Sequence, residues 1–518
     1  MNFMKIVLSL VFSLVLLSSF NAVAQEKAKP ANPEILPAWT PSDGPLPEPF
    51  LKSTQGSKLE QITKNLRAAL ARPDMQGISA SFTAIDLESG KTLVKHRGDE
   101  LFIPASNQKI LTTAAALHHL TPWYKFKTLL LSESQPDENG IISGNLYIEG
   151  GGDPWLVEEQ VYRLASELRG KGITAIEGNL VIIKNFFDYK LYGPGFGNGA
   201  SGRAYAAPQT GLSVNFNAAA VHVIPTKAGQ PARVVVSPQS DYIQVKNTAT
   251  TGGTRQSIKV NSVKLGSKTR FDVSGQIPEN MEKDVTLYRK INHPEIFAGS
   301  MIKEALKTKG IKIKGKLTSS KALPANLQSI HELKSLPLSF MVSLTNKYSN
   351  NFMAEMILRT LGAEVKGLPG SWKKGQTVVS EFMQKQVKVS PKLFKIGNGS
   401  GMGDVNRLAT SAIAKVLKYM WRHPVAGPEF VASNSVAGHD GTLEKWKIGS
   451  QLPGLLRAKT GTLSSTVALS GYLQTRNGRT LAVSILFNNC KGRNLDRLRV
   501  VQEEICLILA DYNKKPAK

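Results

Sequence analysis

Ile103-Pro104-Ala105-Ser106-Asn107-Gln108-Lys109 runs straight into the mostly apolar residues 110–117. The pattern predicts an extended approach, a serine at a helix start, and a helix buried over most of its surface. Serine and lysine three positions apart share a helical face, within side-chain reach. On a dry face the charged form of lysine is disfavoured and its pKa falls. A neutral lysine can take a serine's proton, so the pair serves as nucleophile and base without a histidine. The spacing alone carries little, because Ser300/Lys303 and Ser371/Lys374 share it. Ser371 lies among Gly370, Trp372, Lys373 and Gly375, which reads as a loop. Ser300 reads as the opening of an ordinary amphipathic helix with Lys303, Glu304 and Lys307 toward water. For any such match the plain reading is an N-cap serine and a solvated lysine.

Two further stretches single out Ser106. Lys347-Tyr348-Ser349-Asn350-Asn351 precedes a helical run at 352–358. Leu455-Leu456-Arg457-Ala458-Lys459-Thr460-Gly461-Thr462 is strand-like and ends in a Lys-Thr-Gly that occurs once in the chain. Ser-x-x-Lys, Ser-Asp-Asn and Lys-Thr-Gly are the set of serine β-lactamases and penicillin-binding proteins, and all three stand here in that order, the second as Ser349-Asn350-Asn351.

Working outward, 518 residues are too many for one ordinary core, so two or three domains are expected. The formal net charge of +26 favours anionic partners through long-range steering. The basic residues are scattered and no nucleic-acid motif accompanies them, so nucleic acid is not the expected partner. Peripheral contact with anionic cell wall or a membrane surface fits better, and simple solubility is the bland alternative. Lys5, the apolar run 6–17 and Ala22-Val23-Ala24 before Gln25 predict a signal peptide over 1–24, cleaved after Ala24, and hence export. No later stretch approaches the ~20 apolar residues of a membrane span. Cys490 and Cys506 are the two cysteines. They read equally as a disulfide of an oxidising compartment or as separate buried thiols. The histidines are few and not spaced as ligands, so neither metal nor cofactor is implied.

Residues 25–55 are proline-rich and read as a linker or extended arm. An amphipathic helix is expected over 57–71, strands over 78–86 and 92–96, then the serine helix. From 123 the texture becomes strand-rich, with strands expected at 126–131, 144–149, 178–183, 212–217, 221–224, 233–236 and 257–260. Within it Gly150-Gly151-Gly152-Asp153-Pro154 reads as an Asx-type turn. Helical texture returns near His293, and 408–420 is expected as a helix. The glycine-rich residues 397–403 read either as backbone close to a cleft or as a plain loop. Residues 438–443 read as a turn, since adjacent His439 and Asp440 rarely face each other. Strands over 467–475 and 480–487 flank Asn477-Gly478, a strong hairpin signal, and a final helix is expected over 494–512. The sum is an α+β fold, an antiparallel sheet covered by terminal helices. A catalytic domain over 56–122 and 291–518 holds inserted β-rich subdomains over 123–290.

This arrangement resembles the penicillin-binding protein 4 family, the D-alanyl-D-alanine carboxypeptidases and endopeptidases of the periplasm. The resemblance rests on Ser106-Asn107-Gln108-Lys109, Ser349-Asn350-Asn351, Lys459-Thr460-Gly461-Thr462 and the long insert. It implies a β-lactamase/transpeptidase-like domain with two inserted subdomains. It implies peptidoglycan peptides as substrate and β-lactams as covalent inhibitors. By that resemblance Ser106 attacks the carbonyl and Lys109 is the base. Ser349 sits between the two lysines and passes a proton to the leaving amine, and Asn351 holds the substrate amide. Lys459 keeps Lys109 neutral by like charge. Thr460 and Thr462 of Lys459-Thr460-Gly461-Thr462 bind the terminal carboxylate. The N–H groups of Ser106 and Thr462 form the oxyanion hole. Lys184-Asn185-Phe186-Phe187 stands where many members carry an acidic residue and a tryptophan-rich stretch. The competing functions are a non-catalytic cell-wall binding protein of this fold, and a β-lactamase or esterase. No Glu-x-x-Leu-Asn loop lies between Asn351 and Lys459 to support fast β-lactam turnover.

Overall fold

The computed structural model describes residues 59–512 apart from 200, 282, 283 and 447. The expected signal peptide and arm fall outside the described residues. The central sheet has six antiparallel strands: β1 (Ser79–Asp86), β2 (Thr92–His96), β3 (Ser435–Val436), β4 (Leu456–Leu463), β5 (Thr466–Gln474) and β6 (Thr480–Asn488). Their spatial order is β2-β1-β6-β5-β4-β3. Side chains alternate across a strand, and here both faces are covered. Val467, Leu469 and Leu473 of β5 pack with Ile62 and Leu66 of the first helix (Leu59–Leu70) and with Val501 and Ile505 of the final helix (Leu495–Ala510). Ala468 and Tyr472 face the other way, onto Ile110 and Leu111 of the serine helix (Gln108–Leu120). That is why the last strands read as nearly continuous apolar runs. Gly478 takes φ +81° in the hairpin between β5 and β6, as its Asn-Gly sequence predicts. Among the described residues β3 pairs only with Arg457 and Ala458 of β4, and 459–463 has no strand neighbour on that side.

Beyond the serine helix, strands Lys127–Ser132, Leu146–Gly150, Leu180–Ile183, Leu317–Ser320 and Gln328–Lys334 form one five-stranded sheet. A further group contains Ala218–Ile224, Arg233–Ser237 and Val285–Lys290, with Ile243–Asn247, Lys259–Leu265 and Lys268–Ser274 in a second three-stranded sheet.

Several expectations are corrected here. Leu317–Ser320 pairs with Leu180–Ile183, and Gln328–Lys334 with Lys127–Ser132. Pairing with strands of the 123–290 region thus continues to residue 334, past the expected boundary at 291. The β-rich region also holds a helix that was not expected. Helix Glu158–Gly170 buries Val161, Leu164, Ala165 and Leu168, a helical spacing that was there to be read. Residues 212–217 form no strand; Asn215–Asn217 make a 3-10 turn with all three residues at positive φ. Ser300 sits in the middle of helix Pro294–Thr308 rather than at its start.

Arg359, on helix Asn351–Lys366, joins the insert to the rest. Its guanidinium lies 4.1 Å from the ring centroids of both Phe187 and Trp372. It donates to Asp188 Oδ1 and the Asp188 carbonyl, both at 2.8 Å, and to the Gln209 carbonyl at 3.1 Å.

Candidate active site

The serine turn departs from the extended approach its sequence implies. Pro104 is helical, Ala105 takes φ +46°, and Ala105–Asn107 form a 3-10 turn ahead of the α-helix. A non-glycine residue in the left-handed region costs of order 1–3 kcal/mol and persists only where its surroundings enforce it. Two glycines do so. A Cβ on Gly401 (φ +84°) would fall 1.7 Å from the Ala105 carbonyl, and one on Gly461 2.9 Å from the Ser106 nitrogen. Asn107 Nδ2 ties the turn to β4 by donating to the Lys459 carbonyl at 3.1 Å. Ser349 is a second strained residue, at φ +57°.

Lys109 is wholly buried beneath this turn. Its Nζ donates to Ser106 Oγ at 2.9 Å, Asn351 Oδ1 at 2.7 Å and the Ser400 carbonyl at 2.8 Å. Burial lowers its pKa to about 7, and the Glu355 carboxylate acts in the opposite direction. Lys459 is equally buried, and its Nζ donates to the Thr460 carbonyl at 2.7 Å. Burial first, and the Lys109 charge second, push Lys459 well below an ordinary lysine. The resemblance makes Lys459 the cause of a neutral Lys109. In the structure burial is the largest cause for both lysines, and the charge of each disfavours that of the other.

Ser106, Ser349, Thr460, Gly461 and Thr462 line one cleft of about 580 Å³, together with Thr442, Lys445, Trp446 and the first two turns of the final helix. All eight residues singled out in sequence are thereby brought together. Five line the cleft. Asn351 shares Lys109's hydrogen bonds, and Lys459, next to Thr460 on β4, is buried behind it.

Four other residues were missed. The Ser400 carbonyl belongs to the glycine-rich loop 397–403, which lies directly against the serine turn, and Glu355, on helix Asn351–Lys366, accepts from that loop's Gly399 and Ser400 N–H groups; the glycines were the loop's signal. Thr442 accepts from Thr460 Oγ1 at 2.7 Å, and it sat in a stretch read as a turn. Arg499 Nη2 donates to Thr462 Oγ1 at 3.2 Å while Nη1 donates to Asp496 at 2.5 Å. Nothing local in the sequence links the final helix to that threonine.

The bland readings hold elsewhere. Asp153 accepts from Trp155 N at 2.8 Å, an Asx turn. Asp440 accepts from Lys347 Nζ at 2.6 Å and Val436 N at 2.8 Å, in its turn. Ser371, expected in a loop, instead caps helix Trp372–Glu381 by accepting from Lys374 N. Cys490 and Cys506 are separate buried thiols, pushed by burial to about 11 and about 12. Among the described residues no helix is long and apolar enough to cross a membrane.

Comparison with known proteins agrees with this geometry. The chain is 30% identical to a D-alanyl-D-alanine carboxypeptidase of Actinomadura sp. (strain R39), over 90% of this chain and 87% of that protein. It is 25% identical to the D-alanyl-D-alanine carboxypeptidase DacB of Haemophilus influenzae, over 81% of this chain and 88% of that one. The crystal structure of penicillin binding protein 4 (dacB) from Haemophilus influenzae matches at TM-score 0.73 and 24% identity, covering 88% of this chain and 100% of that one. The α+β fold is therefore that of penicillin binding protein 4. Residues 62–509 match the D-Ala-D-Ala carboxypeptidase 3 (S13) family, and the chain belongs to that family.

Proposed function

We propose that this chain is a serine-type D-Ala-D-Ala carboxypeptidase and endopeptidase, acting on peptidoglycan peptides through an acyl-enzyme on Ser106. The observation that carries the reading is a fully buried lysine, its pKa lowered to about 7, held 2.9 Å from a serine hydroxyl at the mouth of a cleft. Ser106 Oγ attacks the substrate carbonyl as its proton passes to Lys109 Nζ. The N–H groups of Ser106 and Thr462 receive the developing oxyanion; in comparable enzymes one such donor is worth about 10²–10³ in rate. Ser349 relays a proton to the leaving amine as the C–N bond breaks. Water then cleaves the Ser106 ester, with Lys109 again taking the proton. Asn351 holds the substrate amide, and Thr460 and Thr462 hold the terminal carboxylate. That carboxylate also favours the charged form of Lys459, which burial disfavours. β-Lactams present a carboxylate and a reactive carbonyl to the same groups and acylate Ser106.

The reading includes removal of residues 1–24, work in the periplasm and peripheral contact with anionic cell wall or membrane, supported by the leader pattern and the +26 charge. It also divides the chain into a catalytic part and an insert spanning roughly 123–334, supported by the sheet pairings.

The pH dependence follows from Lys109. Below about 7 the lysine is protonated and cannot act as base, so acylation falls about tenfold per pH unit; above about 7 it levels off. Release of D-alanine from a defined pentapeptide, measured against pH, should show this limb. A rate that is flat from pH 5 to 9 would contradict Lys109 as the base. Cross-linked dimers, assayed beside the pentapeptide, test the endopeptidase half of the reading.

A further inference from the structure

Glu355 is a carboxylate with no solvent exposure, one helical turn after Asn351. An unpaired charge there would be costly, so its partners define its task. One oxygen accepts from Ser400 N at 2.7 Å; the other accepts from Gly399 N at 3.0 Å and Trp372 Nε1 at 2.8 Å. Two consecutive backbone N–H groups are thus clamped onto one carboxylate. The rest of the loop is fixed around that clamp. Gly397 N and Asn398 N donate to Asn406 Oδ1, Gly401 N donates to Asn398 Oδ1, and Thr112 Oγ1 donates to the Gly399 carbonyl. The outcome is a Ser400 carbonyl aimed at Lys109 Nζ.

The protonation chemistry makes that carbonyl important. An ammonium has three N–H groups, and Lys109 has three partners: Ser106, Asn351 and Ser400. A neutral amine has two N–H groups and one lone pair. Asn351 Oδ1 and the Ser400 carbonyl are pure acceptors, so they claim the two N–H groups. The lone pair is then left facing Ser106 Oγ–H, the one partner that can donate.

We propose that Glu355 is the positioning residue of this lysine: through Gly399 and Ser400 it fixes the carbonyl that turns the Lys109 lone pair onto Ser106. The inference rests on the serine-enzyme reading above. Its charge has a second consequence. The charged groups around Lys109 are Lys459 behind the cleft, Glu355, and Arg359 one turn beyond Glu355 and paired with Asp188. Glu355 is the carboxylate among them that raises the proton affinity of Lys109. Loss of its charge therefore moves the acid limb of acylation to lower pH, while loss of its hydrogen bonds lowers the plateau.

The test is the second-order rate of acylation by a fluorescent penicillin, measured from pH 5 to 9 for the full chain, Glu355→Gln and Glu355→Asp. Glu355→Gln should show a midpoint about one pH unit lower than wild type and a plateau roughly tenfold or more lower. Glu355→Asp keeps the charge but is one methylene short. It should keep the wild-type midpoint and lose plateau. A Glu355→Gln profile with an unmoved midpoint, or a Glu355→Asp plateau equal to wild type, overturns the role. If Glu355→Gln does not fold, the Glu355→Asp profile decides alone. A folded wild type that takes no penicillin contradicts the serine-enzyme reading itself, which separates the two failures.

Discussion

Lys109→Ala should lower penicillin acylation by about 10²–10⁴ while the protein stays folded. Lys109 is the group poised to take the Ser106 proton, at 2.9 Å. A free serine hydroxyl is a weak nucleophile at neutral pH, so removing the base leaves the oxyanion donors and binding contacts to supply what rate remains. Truncation also empties a buried site and leaves Asn351 Oδ1 and the Ser400 carbonyl without their donor, which costs some stability. Because Lys109 is lowered to about 7, the wild-type comparison belongs at pH 8, where its base form predominates. Intact-mass measurement of adduct against time gives the rate directly. A Lys109→Ala protein that acylates within a few-fold of wild type would remove the lysine from the chemistry.

Arg359→Ala should have the largest effect on stability, about 3 kcal/mol. The arginine side chain has no exposure, and burial lowers it to about 10 against the raising effect of Asp188. Its removal takes away three hydrogen bonds to the insert and a cation held between two aromatic faces. Asp188 keeps 28% exposure, so its carboxylate rehydrates and the loss stays at the low end for breaking a buried pair. Trp372 also donates to Glu355, so the disturbance reaches the lysine loop. The thermal midpoint, followed by circular dichroism, should fall clearly below wild type. An unchanged midpoint would show that Arg359 does not hold the insert.

Much of this was legible in the chain. The three motifs found Ser106, Ser349, Thr460, Gly461 and Thr462 of the cleft lining but not Thr442, because nucleophile, base and carboxylate anchor demand particular residue types. The central sheet was legible for a different reason. The nearly continuous apolar runs and Asn477-Gly478 are local signals, and five of the six strands formed within a residue or two of expectation. What failed was non-local. Strands Leu317–Ser320 and Gln328–Lys334 join a sheet whose other members lie more than a hundred residues earlier, and no local pattern announces that pairing. Glu355 and Arg499 act through tertiary contacts, and by sequence alone each is an ordinary charged residue on a helix. Ala105 was read as extended; its left-handed conformation goes with the close approach of Gly401 and Gly461, where a Cβ would clash with the turn. A dry helical face was the expected reason for the lysine's depressed pKa, and burial is its largest cause in the fold.

The most direct measurement is fluorescent penicillin labelling of the mature protein beside Ser106→Ala, Ser300→Ala and Ser371→Ala. Wild type, Ser300→Ala and Ser371→Ala should all carry a stable adduct, since Ser300 lies mid-helix and Ser371 only caps one. Ser106→Ala should carry none. A folded Ser106→Ala protein that still labels would contradict Ser106 as the nucleophile. A folded wild type that never labels would return the chain to the reading of a non-catalytic cell-wall binding protein.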